Sequence, residues 1–185
     1  VSATNPIDRH TIIRVYFANS NAIKERQRMA KFIKAVGTVE WAKIFPQNMD
    51  KGGDENNAAK AVKKAGGQYV MDFYPDDPDG FIADLEKNGV DMAPMGHKRI
   101  KEKDGRTYIK LKRKHIGPFE EAGGPPKVVD SDKTPWDMDE NGEIGNGSKV
   151  GVVLDSYNGN IRLAAVQVLE LVEYQEENID DAIDF

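Results

Sequence analysis

The 185-residue chain contains no cysteine, so disulfides, thiolate metal sites and cysteine nucleophiles are all excluded. Long apolar runs are missing too. The longest, such as VGVVL and LAAVQVL, have strand length and fall far short of the ~20 residues a membrane helix needs. The opening VSATNPIDRH has no apolar core of the kind a signal peptide carries, so a soluble, cytosolic chain with no membrane partner is expected. Histidine is scarce: His10, His97 and His115 have no i,i+4 partner, which signals neither zinc nor a catalytic triad. No paired-carboxylate or nucleophile motif stands out, so neither an enzyme nor a resident cofactor or metal is expected. What remains suits one domain with arms, large enough to bury roughly 70% of its unfolded surface.

Charge is plentiful and segregated. The net value of −5 hides a basic stretch at 97–115, with nine bases against two acids, and a basic start at 1–38, with seven against two. Residues 116–148 carry eight acids and two lysines, and 170–185 carry seven acids and no base. This asymmetry points to a polyanion-binding surface and an acidic tail.

The coarse pattern is mainly β. TIIRVYFA (11–18) reads as a strand, and a stripe of Ala22, Ile23, Met29, Ala30, Ile33 and Val36 as a helix that Gly37 ends. Further strands are expected at 39–45, 68–74 and 107–116. Short helices are expected at 58–65 and after Asp77-Pro78, a cap followed by a first-turn proline. Six glycines and four prolines in 117–147 read as a long irregular loop. Asn158-Gly159 between apolar runs signals a type I′ hairpin, because both central positions of that turn need positive φ. QEENIDDAIDF (175–185) has little to bury and reads as a disordered tail. Together these suggest a small β-barrel of α+β character.

The segment TYIKLKRKHI carries the most chemistry. Strand alternation puts Tyr108, Lys110, Lys112 and Lys114 on one face and turns Ile109 and Leu111 toward a core. Three like charges beside an aromatic suit a polyanion whose bases stack on the ring. A solvated edge strand guarded by lysine is the competing reading. Trp41, Lys43 and Phe45 share a face by the same rule, and either stacking or a core would suit them. GEIGNGSK (142–149) imitates a phosphate-binding loop, but Ser148-Lys149 stand in reversed order and a strand follows, so nucleotide hydrolysis is not expected. DMDENGEIGNGS (137–148) imitates a calcium loop but ends on Ser148 where a bidentate Glu is needed, leaving an Asx-turn-rich loop as the default. His115, beside Lys114, is expected to meet phosphate or water.

VEWAKIF, QYVMDFYPDDPDGFIADLEKNG, TYIKLKRK, VVDSD, IGNGSKVGVVLDSY, LAAVQVLELVEY and the terminal Asp184-Phe185 resemble the single-stranded DNA-binding proteins of short-tailed bacteriophages. The resemblance runs from about Val39 to the end, with IGNGSK and the terminal Asp-Phe its most specific items. It implies a five-stranded Greek-key OB (oligonucleotide/oligosaccharide-binding) barrel over 39–174 with a packed helix. The basic strand-and-helix extension at 1–38 has no counterpart there. The function implied is to coat single strands during replication and recombination in the cytoplasm of an infected bacterium, with a homodimer among relatives. The binding strand falls on Tyr108, Lys110, Lys112 and Lys114 and the second aromatic on Tyr157. Trp41, Lys43 and Lys149 complete the candidate DNA-binding set. The tail, with Asp181, Asp184 and Phe185, would recruit the phage polymerase and helicase–primase and mimic DNA when none is bound. A protein–protein adaptor with an acidic docking tail, and an RNA-binding OB module, are the alternatives.

Overall fold

A computed structural model of the protein describes residues 31–93 and 99–173. The sequence readings at residues 1–30, at His97 and in the tail, including Asp181, Asp184 and Phe185, lie outside the described residues. The described part is mainly β, seven strands in one sheet with few helices.

Strand β1 (Lys31–Lys43) is the first departure from the sequence reading, which made 31–36 the end of a helix. Ile33 and Val36 satisfy a helical spacing, but Ile33, Gly37 and Val39 also alternate inward while Phe32, Lys34 and Val36 face out. Burial of the alternating set decides for the strand, which runs through the 38/39 boundary inferred from the sequence. Gly37 is therefore no helix terminator. It lies where β1 crosses the next strand, and a Cβ there would collide with the Tyr74 carbonyl oxygen.

Helix α1 (Asn57–Lys64) is capped by Asn56, whose side chain accepts from the Ala59 N–H, and it buries no residue. Strand β2 (Gln68–Pro75) turns Tyr69, Met71 and Phe73 inward. Helix α2 (Pro78–Lys87) starts where Asp77 accepts from the Gly80 N–H at 2.9 Å. It buries Phe81 and Leu85, and the Phe81 ring meets Phe73 edge-on at 5.8 Å. Strands β3 (Ile100–Lys103) and β4 (Arg106–Lys114) form a hairpin. The loop expected at 117–147 contains a 3₁₀ turn, a one-turn helix at Met138–Asn141 and strand β5 (Lys127–Val129). Three residues are too few to show a period, and β5 exists because it pairs in parallel with the last strand, burying Val128 and Val129. Strands β6 (Lys149–Tyr157) and β7 (Asn160–Glu170) form the hairpin signalled by Asn158-Gly159, which have φ of 49° and 75°.

The strand order is β3-β4-β2-β1-β6-β7-β5. Ile44, Met71, Phe73, Leu85, Ile109, Leu111, Leu154 and Leu163 fill the core. Two arginines tie the arm carrying β4 to β7. Arg113 donates to the carbonyls of Gly123 (2.6 Å), Gly124 (2.8 Å) and Leu163 (3.4 Å), and Arg99 to that of Ile161 (2.9 Å). Each guanidinium satisfies backbone acceptors that the irregular 117–126 segment and β7 leave unpaired.

Candidate nucleic-acid interface

Cross-strand register puts side chains of paired residues on the same face, so the outer face of β1, β2, β3 and β4 can be read in rows. Lys43 pairs with Val70 and Val70 with Lys112; Glu40 pairs with Asp72 and Asp72 with Lys110. Gln68 pairs with Lys114 at one end, and Lys101 with Tyr108 at the other. Ile109 and Leu111 are buried, as the alternation requires, so Tyr108, Lys110, Lys112 and Lys114 share the outer face. That face is about 20 Å long at ~3.3 Å per residue, and its two ends differ.

At the Tyr108 end the polar groups already have partners. The Tyr108 ring lies 5.2 Å from the buried Tyr74 ring, and the Arg106 guanidinium sits 4.4 Å over the same Tyr74. Glu40 accepts from Lys103, Arg106 and the Tyr74 hydroxyl, each at 3.1 Å. Burial alone would raise the Glu40 pKa, but the hydrogen bonds from Lys103, Tyr74 and Arg106 and the charge of Lys103 outweigh it and hold it below its ordinary value. The Tyr74 hydroxyl is pushed up to about 12 by burial and by Glu40. Lys110 is ion-paired to Asp72 at 3.2 Å.

At the other end Lys112 and Lys114 have no ion pair among the described residues, and two clefts meet over them. One, of about 480 Å³, is lined by Arg99, Lys112, Lys114, Phe119, Tyr157 and Arg162. The other, of about 650 Å³, lies toward α1 and is lined by Asp50, Gly52, Asn56, Val62, Gln68 and the same two lysines. Burial, with the charges of Arg99 and Lys110 close by, pushes the Lys112 pKa down. A cation crowded by cations and partly stripped of water gains most from an incoming anion. Tyr157, at the tip of the β6–β7 hairpin, and Phe119 are both exposed, and Arg162 lies 6.0 Å over the Phe119 ring. The cleft thus sets lysines beside aromatic faces, the pairing a single-stranded polyanion requires.

The remaining sequence-predicted residues divide. Trp41 and Lys43 are exposed, whereas Phe45, read on the same face, is buried because the strand ends at Lys43. Trp41 sits at a register shift in β1 with φ of 54°, and its N–H donates to the Asn146 side chain at 2.8 Å. Lys149 is not brought to the clefts. It pairs with Asp76 (2.5 and 2.6 Å), just past the end of β2 opposite to Gln68. His115 turns to the buried Tyr69, whose hydroxyl lies 2.8 Å from Nδ1, rather than to phosphate or water. Ser148 is fully buried, donating to Gly145 O at 2.8 Å and accepting from the Val172 N–H at 2.9 Å, so IGNGSK fastens the end of β7. In the calcium-like loop, the Asp137 carboxylate accepts from the Asp139 N–H as a helix cap. Phe119 and Arg162 were not singled out in the sequence. Phe119 sits in an acidic loop and Arg162 in an apolar strand, and only the fold brings them together.

The sequence matches no protein-family model and no curated protein. Among solved structures, one similar to this chain is the single-stranded DNA-binding protein from bacteriophage Enc34 in complex with ssDNA. The identity is 15% and the TM-score 0.49, with 77% of this chain and 88% of that chain covered.

Proposed function

We propose that this protein binds single-stranded DNA without regard to sequence, by binding alone and not by catalysis. The observation that carries the reading is the meeting of two clefts over Lys112 and Lys114, with Tyr157, Phe119 and Arg162 forming one wall. Phosphates would lie over the lysines and bases against the rings, each stacked base contributing ~1–3 kcal/mol. Duplex DNA offers no free base faces and would bind more weakly. On this reading β1, β2, β4, β6 and β7 are the five strands of an OB barrel, with the clefts at its usual ligand-binding flank. The motif resemblance supports the finer parts of the proposal. These are replication and recombination in an infected bacterial cell, a homodimer, and recruitment of polymerase and helicase–primase by the tail at Asp181, Asp184 and Phe185.

The test is anisotropy titration of labelled oligo-dT, oligo-rU and a duplex at two salt concentrations, on the wild type and on Lys112→Ala/Lys114→Ala. Binding to oligo-dT should weaken with salt, and the double variant should lose about tenfold or more in affinity. Its slope of log K against log salt should flatten by about 1.4, or ~0.7 per phosphate. Absence of binding at low salt would overturn the proposal in favour of a protein–protein adaptor. Preference for oligo-rU would replace DNA by RNA.

A further inference from the structure

The basic face of the sheet is not uniformly basic. Glu40 and Asp72 stand side by side with Lys110 in one cross-strand row, between the Lys112 and Lys114 end and the Arg106 and Tyr108 end. The two carboxylates already hold three of the face's cations: Asp72 holds Lys110 at 3.2 Å, and Glu40 holds Lys103 and Arg106 at 3.1 Å each. Among the described residues, Asp72 Oδ1 is buried with no partner of regular hydrogen-bond geometry, and its ion pair is with Lys110. A phosphate that drew Lys110 away would strand that carboxylate without a counter-charge, which costs far more than an exposed pair returns. A phosphate that left the pair intact would meet cations whose charge the two carboxylates already largely offset, and would gain little from them.

We propose that Asp72, with Glu40 beside it, sets the path of the strand by turning it away from the middle of the sheet, so that it crosses β4 at Lys112 and Lys114. Asp72 is thus a determinant of site size and affinity that acts by exclusion. The proposal rests on the single-strand reading above and deepens it. Lys110, although part of the same basic run, is largely spent on Asp72 and contributes less than its neighbour Lys112.

The test is a double-mutant cycle between Asp72→Asn and Lys110→Ala on the full chain, read by oligo-dT affinity, salt slope and occluded site size. Asp72→Asn keeps the side-chain shape and removes the charge. It should tighten binding several-fold, steepen the salt slope by about 0.7 for one phosphate gained, and lengthen the site. Lys110→Ala should cost less than Lys112→Ala in the wild type, and clearly more once Asp72 is Asn. Asp72→Ser repeats the charge removal should the Asn variant melt early, and thermal melts of Lys110→Ala, which leaves Asp72 without its counter-charge, separate a loss of fold from a loss of binding. Equal losses from Lys110→Ala and Lys112→Ala in the wild type would overturn the proposal. So would an Asp72→Asn protein with unchanged affinity and slope. If wild type fails to bind oligo-dT at low salt, the single-strand reading falls and this proposal with it. A wild type that binds while Asp72→Asn changes nothing removes this proposal only.

Discussion

The two ends of β4 share one interior and differ outside. Ile109 under the Tyr108 end and Leu111 under the Lys112 end are both fully buried against the same core. Outside, the Tyr108 end is closed on itself, with Tyr108 against Tyr74, Arg106 over Tyr74 and bonded to Glu40, and Lys110 on Asp72. The other end leaves Lys112 and Lys114 with no ion pair among the described residues and places clefts on both flanks, Asp50 lining one of them. Basic residues of equal spacing therefore have unequal uses. A lysine beside an in-register aspartate is a structural cation, and one beside valine or glutamine is available to a ligand.

Three kinds of change would break or sharpen this contrast. The largest effect should come from beneath it. Leu111→Ala, at a fully buried position, should cost about 2–5 kcal/mol of stability and disturb both ends together, as measured by denaturant melts. A next effect should separate the ends. Tyr157→Ala or Phe119→Ala should each remove about 1–3 kcal/mol of oligo-dT binding. Tyr108→Ala should remove less, since its ring is already engaged by Tyr74. Equal losses from Tyr108→Ala and Tyr157→Ala would abolish the distinction. The smallest effect should be in acid. The folded-state pKa of Glu40 lies below the ordinary 4.5, so its stabilising contribution is complete above that value and disappears as pH falls through the folded value. Between pH 4.5 and lower pH, wild type should lose stability more steeply than Glu40→Gln, read from thermal melts across the acid range.

Much of the site was legible because its signals are local. The alternation in TYIKLKRK put Tyr108, Lys110, Lys112 and Lys114 on one face, and Tyr157 stands beside a hairpin turn that two residues specify. Trp41 and Lys43 are exposed for a reason alternation does not hold: the register shift after Glu40 reverses the inward parity of Ile33, Gly37 and Val39, and Phe45 lies beyond the end of the strand. The helix expected through Val36 failed because Ile33 and Val36 fit two periods at once, and the sequence holds no record of which neighbour covers them.

By itself, the chain's sequence determined its mainly β character, the inward Ile109 and Leu111 of β4, the cap of α2 at Asp77, the turn between β6 and β7, and the segregation of charge. All of these depend on side-chain period, φ preference or composition within a few residues. Only the tertiary structure decided which bases are available. Lys149 is bound to Asp76, 73 positions away, and Lys103 to Glu40, 63 away, whereas Lys112 and Lys114 have no ion pair among the described residues and lie beside Phe119 and Arg162. Such pairings follow from register and sheet curvature, which bring together residues that no local pattern links.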